Sequence, residues 1–155
     1  MNPNDHVAAA IARASTSQVS ADSVMKPNGR TELEYHANMV VVGIHAYILN
    51  SSGRIAQVSP FTPEYKSLKE VPIIDAAVAY DFPITDKSFI LVFHNALGVP
   101  SMEHNLVPPF ILRETGLEVN DTPKIQLKYP KIHDHSIYFP SSDVGITLSL
   151  NGIFS

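Results

Sequence analysis

With 155 residues, 45% of them hydrophobic, the chain is sized for one domain with its own core. A net charge of -4, with 11 Lys and Arg and no basic cluster, argues against a nucleic-acid surface, which needs a basic patch. The absence of cysteine excludes disulfides, thiol nucleophiles and zinc ribbons and fits an intracellular setting, and no apolar run reaches the roughly 20 residues that span a bilayer.

In chain order, Met1–Arg30 is rich in Ala, Ser and Asn, carries a helical hint only at Val7–Ala14, and is expected to be a flexible leader or linker. Residues 31–155 then form the domain. Its first strand region holds the β-branched run Val40-Val41-Val42 and the alternating Ile44, Ala46 and Ile48. Asn50-Ser51-Ser52-Gly53 predicts a hairpin turn, with Arg54–Val58 as the returning strand. Pro60–Glu70 is a loop, and Val71–Tyr80 is a further apolar strand. Phe89–Phe93 is an unbroken apolar run, as a strand buried on both faces would be, and Ala96–Val99 is a second short apolar piece stopped by Pro100. Pro108-Pro109 opens a short helix, Phe110, Ile111 and Leu112 give it an apolar side, and Gly116 ends it, so the helix spans Pro108–Thr115. Alternation resumes at Leu117–Val119, and strands are expected at Lys124–Lys128, Ser136–Phe139 and Val144–Leu150. The 12 prolines and about seven strands against one helix place the fold in the mostly β class. The apolar end at Phe154-Ser155 suggests a piece of something longer.

Two segments carry a family resemblance. Thr31–Gly43, TELEYHANMVVVG, and the block with Asn95, Leu97, Val99, Pro100, His104, Asn105 and Leu106 resemble the protease region of copia-type retrotransposon polyproteins, a branch of the retropepsin-like aspartic proteases. The resemblance runs from about Thr31 to the end. It implies a small closed β-barrel, a homodimer because the domain is half of a two-lobed aspartic protease, a peptide or polyprotein substrate, no cofactor, and a place in the cytoplasm or within a retrotransposon particle. It also implies acid-type peptide hydrolysis: two carboxylates, one from each subunit, share a proton and activate a water.

The matching motif departs from that chemistry. Glu34 stands for the aspartate, Tyr35 for a small hydroxyl residue and His36 for glycine, with Ala37 beside them and Asn38-Met39 following. Glutamate adds a methylene to each half of a dyad, and a displacement of about 1 Å can cost ~100-fold in rate. The expectation is a retained fold with impaired catalysis. The bland alternative makes Glu34 an ordinary exposed carboxylate at a strand end.

Other candidates are weaker. Asp75 follows an apolar strand and is the second choice for a catalytic aspartate, against a structural strand carboxylate. Ser52 and Gly53 are candidates for a flap over substrate. His133-Asp134-His135 lacks the third ligand that a zinc site needs, and no metal is expected. His104-Asn105 reads as structural, with Asn105 satisfying backbone groups before the helix. Two rival functions remain: a non-catalytic dimerisation or spacer module, and an unrelated small β-barrel that binds a peptide or small ligand.

Overall fold

The computed structural model describes residues 9–13, 30–59, 66–82, 86–131 and 133–149. It is mostly β. Strands β1 (Ala9–Arg13), β2 (Thr31–Leu33), β3 (Val41–Val42), β4 (Tyr47–Val58), β5 (Leu68–Asp81), β6 (Ser88–Gly98) and β7 (Asn105–Val107) form one sheet. Helix α1 (Pro109–Glu114) leads into a second sheet of β8 (Glu118–Asn120), β9 (Ser136–Phe139) and β10 (Val144–Thr147), with a 3-10 turn (Lys124–Gln126) between β8 and β9.

The large sheet runs β2-β7-β3-β6-β5-β4, with β1 antiparallel to β6. Its central strands are the apolar ones. β5 and β6 pair from Ile73↔Leu97 to Asp81↔Ser88, and their inward residues Ile74, Ala76, Val78, Phe89, Phe93 and Ala96 are buried. All of these except Phe89 meet Val40, Val42, Val107, α1 residues Ile111 and Leu112, and Phe139 and Ile146 of the small sheet in one cluster. That cluster joins the two sheets. Each fully buried Val or Leu contributes about 1.5–3 kcal/mol relative to exposure.

β7 lies between β2 and β3, although those two are neighbours in sequence. It runs parallel to β2 and meets β3 antiparallel at Val41↔Leu106, while β3 is parallel to β6. The arrangement traps residues 34–40 as a loop at the end of β2. Gly43 is required at the exit of β3, because a Cβ there would sit 2.4 Å from the Met102 carbonyl oxygen and 2.9 Å from that of His104.

Several expectations need correction. The small closed barrel does not form among the described residues: β2 and β4 are the two ends of the large sheet's main order and are not bonded to each other. The hairpin at Asn50–Gly53 is also absent. Those residues lie within the continuous strand β4, where the register with β5 slips between Ser51 and Ile55 and Gly53 takes φ +72°. The turn residues make a bulge, which needs the same left-handed glycine as a turn. The chain instead reverses between Val58 and Leu68, and 60–65 of the expected loop lie outside the described residues.

Phe89–Phe93 and Ala96–Val99 are not separate pieces: β6 runs through both as far as Gly98, over a register slip at His94-Asn95 with Asn95 at φ +54°. Lys124–Gln126 winds as a 3-10 turn after Pro123 instead of pairing, and Ile125 stays 89% exposed, so no neighbour rewards its alternation. The helical hint at Val7–Ala14 resolves as strand where described, Ala9–Arg13 pairing with Phe89–Phe93. The rest of Met1–Gly29 lies outside the described residues, as does Leu150 of the last expected strand.

The helix is as read. Pro108 precedes it, Pro109 occupies the first turn, and Gly116 at φ +86° closes it while Leu117 N–H donates to Leu112 O at 3.1 Å. Ser136–Phe139 also has the expected bounds.

Candidate functional site

The loop after β2 holds Glu34, Tyr35, His36 and Ala37 together. Its entry is fixed by Glu34 N–H donating to Val107 O at 3.0 Å, which continues the β2–β7 ladder by one bond. Its exit is fixed by Val40, fully buried, whose carbonyl accepts from Leu97 N–H at 2.8 Å. Asn105, 1% exposed, ties together the strands that flank the loop: its Oδ1 accepts from Gly43 N–H at 2.8 Å and its Nδ2 donates to Thr31 Oγ1 at 3.1 Å. Asn105 is therefore structural, as expected, but it serves the loop after β3 and the start of β2, not the helix.

Within the loop, the Glu34 carboxylate turns back on its own chain. Oε1 accepts from His36 N–H at 2.8 Å and lies 3.0 Å from His36 Nδ1. The backbone N–H of His36 holds the carboxyl below its ordinary value, outweighing the upward push of burial, and the His36 ring adds to the effect. Glu34 is thus kept as an anion with one oxygen committed.

Tyr35 points the other way. Its hydroxyl donates to Asp121 Oδ2, which also accepts from Arg113 Nη2 at 2.7 Å. Arg113, in the last turn of α1, donates in addition to Val119 O at 3.1 Å. Loss of water and then the Asp121 carboxylate push the Tyr35 hydroxyl up to about 12. Burial also acts to raise the Asp121 carboxyl, but the Tyr35 and Arg113 bonds outweigh it and leave it below its ordinary value. Asp121 and Arg113 escaped sequence reasoning, and no spacing or motif marks them, because the contact links residues 86 apart. Ala37 is half-buried beside the turn.

Asp75 has a different task. It lies inside β5 opposite the β6 irregularity, where its Oδ1 accepts from Asn95 N–H at 3.0 Å and sits 3.3 Å from His94 Nδ1. Arg54 Nη2 donates to Asn95 Oδ1 at 2.6 Å, so β4, β5 and β6 are fastened at that point. Ser52 and Gly53 occupy the β4 bulge, where Ser52 Oγ donates to Ile73 O at 2.7 Å and accepts from Arg54 N–H at 3.1 Å. They sit on one limb of the β4–β5 ribbon, not at its tip.

His133-Asp134-His135 lies in the turn before β9, and no group of three potential ligands that could hold a metal occurs among the described residues. No helix among them is long and apolar enough to cross a membrane.

Behind the Glu34 loop, a cavity of about 690 Å³ opens between the large sheet and the small one. Leu33, Val78, Leu91, Phe93, Ile137 and Phe139 form much of its wall, and Glu34, Tyr35, Asp121 and His135 also line it. Chemically, the loop offers one clasped carboxylate and an apolar recess.

The chain matches no known family model, no curated protein and no solved structure.

Proposed function

We propose that this chain is a retropepsin-like domain of a copia-type retrotransposon polyprotein that has kept the scaffold of its site and lost peptide cleavage. Its role in the polyprotein is then that of a homodimeric or spacer module. Placement of Glu34 at the end of β2, with β7 alongside and α1 following it, supports the link to the family.

One observation carries the loss of cleavage. The Glu34 carboxylate is bonded through Oε1 to His36 of its own loop and held as an anion. Glycine in place of His36 would offer no ring, whereas here the His36 ring clasps a carboxylate that already carries an extra methylene, and a displacement of about 1 Å in a dyad can cost ~100-fold in rate. Tyr35 reinforces the point, since its ring leaves the loop for Asp121 and cannot brace a carboxylate from below as a small hydroxyl would.

The test is cleavage of a mixed peptide library between about pH 4 and 6.5, where a carboxylate dyad holds one proton. Folding is checked by circular dichroism and association by analytical ultracentrifugation. The expected result is a folded dimer without cleavage. Cleavage blocked by an aspartic-protease transition-state analogue would overturn the loss of activity, and a folded monomer at high concentration would overturn the homodimer.

A further inference from the structure

We propose that the cavity between the two sheets binds a small organic cation, a primary amine on an aromatic or aliphatic body, with the body against the apolar wall and the ammonium at Glu34. This does not depend on the retrotransposon reading, because it concerns the space behind the loop and no step of peptide hydrolysis.

Two observations carry it. The volume of about 690 Å³ lies within the roughly 300–1,000 Å³ of ligand pockets, and the wall of Val78, Leu91, Phe93, Ile137 and Phe139 is of the apolar kind such pockets use. The second is charge. Arg30 pairs with Glu32 and Arg113 pairs with Asp121, so the carboxylate left without a Lys or Arg partner at the lining is Glu34. Its Oε1 is taken by His36, and its Oε2 has no hydrogen-bond partner among the described residues. An anionic ligand would meet this carboxylate, whereas an ammonium would complete it.

The test uses three matched probes, tryptamine, tryptophol and indolepropionic acid, titrated into the full chain and followed by calorimetry and by backbone amide and methyl NMR. Tryptamine is expected to bind at least tenfold more tightly than the acid, with shifts at Leu33, Ile137 and Ile146. Glu34→Gln should weaken tryptamine about fivefold, a modest factor because the site is partly open to water, and leave tryptophol unchanged. Leu91→Trp, at a half-buried position on the cavity wall beside its cross-strand partner Val78, should block all three probes while circular dichroism shows the protein still folded. Equal binding of amine and acid, no binding of any probe, or binding untouched by Leu91→Trp in the folded protein would each overturn the proposal.

Discussion

Replacing Asn105 by Ala removes a side chain that fastens the start of β2 to the exit of β3, on either side of the Glu34 loop, and the cost can be worked from its bonds. Two hydrogen bonds disappear, to Gly43 N–H and from Nδ2 to Thr31 Oγ1. Thr31 is exposed and can turn to water, so that loss is about 0.5–1 kcal/mol. Gly43 is buried, and its N–H would be stranded at about 1–3 kcal/mol. The space vacated by a side chain only 1% exposed adds to this, giving about 2–4 kcal/mol in all. Against the 5–15 kcal/mol typical of a domain, that is a large share of the whole. In urea unfolding followed by circular dichroism, the midpoint should fall by about 1–2 M with an unchanged slope. Thr31→Val should move it by less than half as much. A shift for Asn105→Ala of less than about 0.5 kcal/mol, inside the range of ordinary surface changes, would refute the assignment of Asn105 as the fastener.

Gly43→Ala should be at least as damaging, because the new methyl would sit 2.4 Å from a backbone oxygen that cannot move without the 99–104 turn. Soluble expression and a melting curve suffice to check it. Gly116→Ala meets no atom within 4 Å but must adopt φ +86°, so a loss of about 1 kcal/mol is expected from backbone strain alone. Tyr35→Phe should cost about 0.5–1 kcal/mol at neutral pH, the hydroxyl being partly screened by water. The sign of its pH dependence follows from the two partners. Asp121 is lowered in the fold, so its contribution is present above the ordinary carboxylate value of 3.8 and lost as pH falls through the lower folded value. Tyr35 is raised to about 12, so its contribution is complete below 10.0 and disappears as pH rises from there to about 12. The difference between wild type and Tyr35→Phe in urea melts should therefore be flat from pH 5 to 9 and shrink at both extremes; a difference that grows towards acid would contradict the Tyr35–Asp121 bond.

The long elements were legible because periodicity and burial agree in them. Val71–Tyr80 and Phe89–Phe93 are core strands, and the helix between Pro108 and Gly116 is fixed by local rules that do not depend on the rest of the chain. The short strands were not. β2, β3, β7 and β8 are two or three residues each, too short to show a period, and exist because each pairs with a strand outside its own stretch of chain. Asn50–Gly53 misled for a different reason: a glycine with positive φ serves a hairpin and a bulge equally, and only pairing with β5 decides between them. At the candidate site, the positions of Glu34 and Tyr35 could be read from the motif. The partners that set their chemistry could not, since Tyr35 reaches Asp121 across the fold and the Glu34–His36 clasp depends on a turn that no propensity specifies.

The most direct measurement is the titration of the Glu34 side-chain carboxyl by carbon-detected NMR in uniformly labelled protein, assigned by comparison with Glu34→Gln and repeated with His36→Ala. The account has Glu34 as a single carboxylate lowered by the His36 backbone N–H, with further help from the ring. It predicts one transition below 4.5, moving only part of the way back in His36→Ala because the backbone donor remains. A transition above 4.5, or two coupled steps that depend on protein concentration, would show a proton shared between two copies and contradict the loss of the dyad.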